Sequence, residues 1–453
     1  MMRVILLNLP WRKDNRWGVR AGSRWPFTSP PEENGYIKYI PFPFFLAQAT
    51  TLLRTRGNEA ELIDAIAQGM DEDTMMREIM AYNPQLAVIE TSTPSFYNDI
   101  RIASEIKKKI PGIYIALCGP HASTYAGPIL KEQEFIDYVL EGEYEYTLLE
   151  LADRLSRGGS LNGVPGLVFK EGRSVIANRA RPAIKDLDSL PWPERDKRSI
   201  YKYNDGFAGL PVPNVQIYSS RGCPFRCIFC LWPQVLYGGH KYRKRNPAKV
   251  IDEMEWLIGE FGFKAVYFDD DVFNIDKSHV MDICGEITGR GIKIPWAAMA
   301  RADLMSEKLL SVMSNAGLYA IKYGIESVDK KVLKLCRKEL GLARAKKMIA
   351  HTRRLGIKLH LTFCLGLPGE TKKSVRDTID FIAETNPDSF QISFATPFPG
   401  THYYRYLEKR GVGLSKNLED YDGSNSYIGD FKGIGGLDLE KIKNDFCSSL
   451  DFK

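Results

Sequence analysis

The sequence predicts an α/β protein in two parts, a doubly wound parallel sheet followed by six β/α units forming a partial or full barrel. Short apolar runs alternate with amphipathic stretches through residues 1–155, the alternation lapses from about 156 to 210, and it then resumes for six rounds before residue 400. Strands interleaved in this way with helices give parallel sheets covered by helices. At 453 residues, the chain is long enough for two to three domains with substantial cores. Its 44% hydrophobic and 26% charged content excludes a disordered chain, a collagen-like repeat or a disulfide-stapled miniprotein. The net charge of +6 is too small to argue for a nucleic-acid partner.

In the first part the expected strands are 4–9, 60–63, 86–89, 113–117 and 136–140, with helices such as 44–56 and 100–109 between them. Ligands of such sheets bind outside the carboxyl ends of the strands. Those ends carry Thr91-Ser92-Thr93, Gly119-Pro120-His121 and Glu141-Gly142-Glu143. From 156 to 210 the chain is punctuated by Gly158-Gly159, a hairpin over 166–178, and Pro182, Pro191 and Pro193, as in a linker. The second part, 211–400, has expected strands 215–219, 265–269, 294–298, 320–325, 358–365 and 389–394, separated by helices such as 248–260, 306–315 and 372–384. Residues 401–453 form a C-terminal extension.

No apolar run approaches the roughly 18 residues of a membrane span. The opening Met1–Pro10 stretch reads as a strand and not a signal peptide. The expectation is a cytoplasmic protein with reduced thiols, its scattered Cys118, Cys284, Cys336, Cys364 and Cys447 filling cores. The basic run Lys241-Tyr242-Arg243-Lys244-Arg245 reads as a solvated face, unless it turns toward a bound cofactor.

Cys223, Cys227 and Cys230 stand at C-x3-C-x2-C on one short loop that ends the first strand of the second part. A structural zinc site needs four ligands, and no nearby cysteine or histidine completes one. Three thiolates suit a [4Fe–4S] cluster with one iron open to a small molecule, shielded by Phe229.

The loop and its place after a strand resemble the radical S-adenosylmethionine (SAM) superfamily, and the resemblance runs over about 215–400. It implies a (β/α)6 partial TIM barrel whose open iron chelates SAM. It also implies SAM contacts at Phe229, at Asp269 and Asp270 for the amino group, at Arg301, at Glu326 and Ser327, and at Gly366 and Pro397 near the adenine. Other readings stay open beside these. The Asp269–Asp271 trio suits an ammonium, or a helix N-cap at Asp271. Arg301 and Glu326 suit SAM, or a salt bridge with each other. The Leu365–Thr371 turn suits adenine, or a plain turn before a helix capped by Thr371.

Directly ahead of such a barrel, the first part is similar to the Rossmann-like cobalamin domain of the B12-binding radical SAM family. The similarity rests on Asn8-Leu9-Pro10 and on the second and third strand-end motifs above; Pro120 stands where glycine is common. It implies cobalamin contacts at Thr91, Ser92, Thr93, Gly119, Pro120, His121, Glu141, Gly142 and Glu143. No D-x-H-x-x-G occurs, so the histidine lower ligand of that motif is not expected. His121 either meets the nucleotide tail or caps a helix. The aromatic loop Arg20–Phe27 covers corrin or substrate, or simply packs on itself.

The resemblance implies a C-methyltransferase that moves a methyl group from SAM through methylcobalamin to an unactivated carbon, supplied by an external reductant. A protein or peptide side chain such as glutamine is the expected substrate, on the protein's size, the 20–25 loop and a likeness to the methanogen enzymes that methylate methyl-coenzyme M reductase. Small-molecule natural products and polyprenoids stay open. The rivals are a ring-forming or rearranging enzyme of the same architecture and a non-catalytic cobalamin carrier. A methylthiotransferase would need an N-terminal cysteine trio, where only Cys118 stands.

Overall fold

The computed structural model describes residues 1–30, 39–205, 207–423, 439 and 441–443. Cys447 and most of the C-terminal extension past residue 423 therefore lie outside the described residues.

The first sheet is built from β1 (Arg3–Asn8), β2 (Glu59–Asp64), β3 (Leu86–Glu90), β4 (Tyr114–Cys118), β5 (Tyr138–Leu140), β6 (Leu167–Glu171) and β7 (Ser174–Ala177), in the order β7-β6-β5-β4-β3-β1-β2. The five strands β1–β5 pair in parallel. Period-2 alternation sends Val4 and Leu6 to a core with the helices Phe44–Thr55 and Glu145–Ser156. Ile5 and Leu7 face the opposite core, with Glu72–Tyr82 and Phe96–Lys109. Helices on both faces leave β3 buried along its whole length, hence its continuous apolar run.

Strand and helix ends fall within a few residues of expectation, with one displacement of consequence. The hairpin expected in the 156–210 linker is β6–β7, and it belongs to the first sheet. β6 pairs antiparallel with β5 through Leu167–Leu140, Val168–Val139 and Phe169–Tyr138. Its inner residues Leu167, Val168 and Phe169 are buried, so the hairpin closes an apolar edge that β5 would otherwise expose.

The second sheet is a parallel row of six, β8 (Asn214–Ile217), β9 (Ala265–Phe268), β10 (Trp296–Ala300), β11 (Leu318–Glu326), β12 (Lys358–Leu365) and β13 (Ser389–Phe394), paired in sequence order. The order runs from β8 to β13 without closing, which is a partial barrel. The helices Pro247–Phe261, Lys277–Gly289, Glu307–Asn315, Leu342–Arg354 and Lys372–Thr385 separate the strands. Thr371 caps the last of these through the Ser374 amide, as the sequence indicates.

The two sheets are joined by buried charge. The short ladder Ser220–Arg221 against Arg243–Lys244 places two guanidinium groups beside the end of β5. Arg221 donates to Glu145 at 2.7 Å, to Glu143 at 3.3 Å and to Gln48. Arg243 donates to Glu143 at 2.6 Å and to the Ile184 carbonyl at 2.8 Å. The basic run is therefore not the solvated face its composition suggests. Arg243 and Arg245 turn inward, Arg245 onto Glu253 at 2.6 Å, and of the three only Lys244 is exposed. Removing one partner of a buried pair strands the other charge, at a cost of roughly 3–5 kcal/mol. Arg221→Ala is accordingly expected to lower stability by about that much, read as a large fall in the chemical unfolding midpoint, whereas Lys244→Ala should move it little.

Candidate functional site

β8 delivers the chain to Gly222 at φ 91°, where an added Cβ would sit 2.0 Å from the Lys241 carbonyl oxygen. Only glycine passes this crossing, which sets the start of the cysteine loop. The Gly222 amide donates to Asp271 at 2.7 Å, and the Ile228 amide to the Cys336 carbonyl at 3.0 Å. Gln234, which sequence reasoning missed, reaches back to the carbonyls of Cys227, Ile228 and Cys230 and clamps the loop. Its signal was faint, a single amide four residues past Cys230.

Cys223, Cys227 and Cys230 all open on one cavity of about 260 Å³. Burial pushes the Cys223 thiol up to about 12, and burial also raises Cys227 and Cys230. Bound metal inverts that preference, because coordination deprotonates a thiol outright. Among the described residues no three His, Cys, Asp or Glu side chains gather as a site for one ion. Three thiols spread on a cavity wall fit a group containing several irons, each taking one thiolate.

Asp269 and Asp271 line the same cavity. Asp270 does not, contrary to its expected contact with an amino group. Successive residues of the extended chain point to opposite sides, and Asp270 is wholly buried, accepting from the Ser219 amide at 3.1 Å and the hydroxyls of Ser219 and Ser220. Burial raises its carboxyl to about 6. Nor is Asp271 a helix cap: the next helix starts at Lys277 and is capped by Asp276. The cation beside the aspartates is Arg24 of the first part, which reaches Asp269 and Asp271 at 2.7 Å each.

Arg301 and Glu326 also line the cavity, and they pair with other partners than each other. Arg301 binds Asp303 at 2.8 Å and the carbonyls of Lys338 and Glu339, with its guanidinium 3.7 Å above the Phe225 ring. Glu326 pairs with Lys338 at 3.0 Å. Its φ of 68° and the Ser327 amide bonded to the Ile325 carbonyl make a strained γ-turn, at a shift in the β11–β12 register. Backbone strain of this kind clusters at active sites and ligand clamps. Phe229 lines the cavity, edge-on to Trp25 at 6.3 Å. Ser327, Gly366 and Pro397 are absent from its wall. Ser327 is buried and accepts from the Asp329 amide, Gly366 donates to Glu370 at 2.6 Å, and Pro397 is buried.

The carboxyl edge of the first sheet collects the other expected contacts. Its switch point lies between β1 and β3, where loops lead away on opposite sides. Gly119, at φ 93°, would place a Cβ 2.6 Å from the Thr91 carbonyl oxygen, so glycine lets the β3 and β4 loops touch. Ser92 and Ser95 bond within the β3 loop. Thr93 meets His121 Nδ1 at 3.2 Å, and the imidazole packs between Phe96 and Tyr125. Burial lowers this histidine to about 3, keeping it neutral; it caps no helix, since Gly119 stands at the cap and Pro120 opens the helix Pro120–Glu132. Glu141 is partly exposed and the Gly142 amide donates to Ser123 at 3.1 Å. Glu143 is committed to Arg221 and Arg243, which corrects its expected cobalamin contact. Beneath these loops lies a buried group that the sequence did not single out. Tyr144 donates to Glu90 at 3.0 Å, and Arg20 pairs with Asp99 at 3.2 Å while donating to the Glu90 and Leu9 carbonyls.

Two outcomes test this arrangement. Alanine at Cys223, Cys227 or Cys230 should remove the visible iron–sulfur absorption and most bound iron from reconstituted protein, while Cys284→Ala retains both. Burial holds the Glu90 carboxyl at about 7, above its ordinary value of 4.5. The folded chain therefore keeps that proton longer than the unfolded chain, and this group's contribution to stability falls as pH rises from about 4.5 to about 7. Glu90→Gln should remove that fall, so its unfolding midpoint should gain on the parent's across this window.

Residues 217–382 match the radical SAM superfamily. Over 396 residues the chain is 30% identical to an uncharacterized methyltransferase of Pyrococcus horikoshii, covering 86% of this chain and 84% of that protein. It is 28% identical over 384 residues to the anaerobic magnesium-protoporphyrin IX monomethyl ester cyclase of Cereibacter sphaeroides, covering 81% of this chain and 60% of that one. Among solved structures it shares the fold of the radical SAM methyltransferase TsrM from Kitasatospora setae with cobalamin and a [4Fe–4S] cluster bound. The TM-score is 0.74 at 18% identity, over 99% of this chain and 91% of that one.

Proposed function

Because this chain belongs to the B12-binding radical SAM family, we propose that it is a cobalamin-dependent radical SAM C-methyltransferase. In this reading residues 1–155 together with the edge hairpin at 167–177 are the cobalamin platform and 211–400 the catalytic barrel, with the rest of 156–210 as linker and 401–453 as extension. The observation that carries it is the convergence of three thiols, two aspartates and the strained Glu326 on one cavity roofed by the loop after β1. Bound together, cluster, SAM and cobalamin would supply reductive cleavage of SAM, hydrogen abstraction from an unreactive carbon and a methyl group carried on cobalt.

The chain's own residues do the rest. Cys223, Cys227 and Cys230 hold the cluster, and Phe229 and Trp25 keep water from it. Asp269 and Asp271 receive the SAM amino group, while Arg301 and Glu326 orient its carboxylate and ribose. Thr91, Ser92, Thr93, Gly119, Pro120, His121, Glu141 and Gly142 form the cobalamin-facing edge. An external reductant supplies electrons, and the protein is cytoplasmic; among the described residues no helix is long and apolar enough to cross a membrane.

The cavity is also lined by Tyr39, Tyr267 and Met299 and by Lys322, Gln391 and Ser393. Aromatic walls with a few polar groups suit one small polar-headed group. A glutamine side chain of a peptide answers that description, as does a small molecule of similar size. The 20–25 loop no longer argues for a peptide, since Arg20 and Arg24 are committed to carboxylates. Likeness to the cyclase supports a second reading, ring formation on the same platform.

Anaerobic reconstitution with iron, sulfide and hydroxocobalamin, followed by reductant and methyl-labelled SAM, tests the choice. Retained corrin bands, 5′-deoxyadenosine and label on cobalamin are expected. Deoxyadenosine with bound but unlabelled cobalamin would favour the cyclase or rearrangement, and failure to retain cobalamin would overturn the reading of the first part.

A further inference from the structure

Arg24 is the feature of the cavity that neither the cluster nor the barrel requires. It arrives from the loop after β1, far in sequence from the carboxylates it meets. Its Nε donates to Asp271 Oδ1, one terminal nitrogen to Asp269 Oδ1 and the other to the Asp269 carbonyl, each at 2.7 Å. Its guanidinium lies 4.7 Å over the Trp232 ring. The second Asp271 oxygen is held by the Gly222 amide at 2.7 Å. An incoming ammonium, with three donors of its own, finds these acceptors already engaged.

We propose that Arg24 is a built-in occupant of the SAM amino-group subsite, holding Asp269 and Asp271 in the ligand-free chain and releasing them when SAM arrives. The inference rests on the reading of those aspartates as the SAM amino-group subsite. Three further observations support it. Two aspartates side by side in a buried wall are costly without a cation, and Arg24 supplies one before substrate does. The cavity of about 260 Å³ counts Arg24 among its lining residues, so displacing that side chain opens room beside the aspartates. Ser23, Arg24, Trp25 and Phe27 form part of the cavity wall. The loop is fixed at both ends, by Arg20 on Asp99 and the Glu90 and Leu9 carbonyls and by the pairing of Phe27 with Val19, so the movable element is the Arg24 side chain between them. Exchange of one cation for another thus links SAM binding in the barrel to the position of a side chain carried by the first part.

SAM binding to the full-length, cluster-loaded protein tests this by calorimetry, with tryptophan fluorescence as a second readout. Arg24→Gln removes the competitor and should tighten SAM binding about tenfold, as for a protein whose binding-competent fraction rises from a tenth to near unity. The SAM-induced fluorescence change should be large in the parent and small in the variant. Unchanged or weaker SAM binding by Arg24→Gln overturns the proposal, the weaker case making Arg24 a direct SAM contact. If Arg24→Gln does not load its cluster, Arg24→Lys carries the test, with affinity above the parent supporting the exchange and affinity at or below it refuting it. Asp269→Asn separates the two levels. If it leaves SAM affinity unaltered, the aspartates are not the subsite. If it weakens SAM while the Arg24 variants do not tighten it, only the exchange fails.

Discussion

The ionic joint between Glu143 and Glu145 on one side and Arg221 and Arg243 on the other fixes how the two halves work together. Glu143 and Glu145 follow β5 of the first sheet, and Arg221 is the residue before the glycine that turns into the cysteine loop. A single set of buried contacts thus ties the carboxyl edge of one sheet to the mouth of the other. Parallel sheets bind ligands at their carboxyl ends, so the joint turns two such edges toward shared space. Every charge in it is paired, the condition under which buried charge is tolerated, although Arg243 Nε and Nη2 and Glu145 Oε2 are buried without a hydrogen-bond partner.

From that joint the rest of the site follows by backbone geometry. Gly222 permits the close passage by Lys241, Gln234 gathers the loop carbonyls, and alternation along the extended chain sends Asp269 and Asp271 inward while Asp270 turns back to Ser219 and Ser220. Opposite them, β11 ends in the γ-turn at Glu326, whose strained backbone is held by Lys338 and the neighbouring strand. Strand ends supply position and loops supply chemistry.

Much of this was legible in the sequence because it rests on local pattern. Short apolar runs interleaved with amphipathic stretches located the strands of both sheets, and the cysteine spacing located the loop. What escaped depends on partners far apart in the chain. The hairpin at 167–177 looked like linker because its turn residues are local, while its pairing with β5 is not. Arg243 and Arg245 looked solvated because their carboxylates, Glu143 and Glu253, lie elsewhere in the sequence. Glu143 looked like a ligand contact for the mirror-image reason. Asp270, Ser327, Gly366 and Pro397 were placed by motif, which fixes the neighbourhood of a residue and not which way its side chain or backbone amide faces. Arg24 was visible only as part of an aromatic loop, since nothing in 20–27 names Asp269 and Asp271.

The central claim is that both halves serve one reaction space, with the cobalamin-facing edge of the first sheet close to the cluster loop of the second. Pulsed EPR on reconstituted protein carrying the reduced cluster and cob(II)alamin measures this directly. The account predicts magnetic coupling between the two centres, seen as a broadened, fast-relaxing cobalt signal that sharpens when the cluster is oxidised to its diamagnetic state. A cobalt signal indifferent to the oxidation state of the cluster would place the two cofactors apart and contradict it.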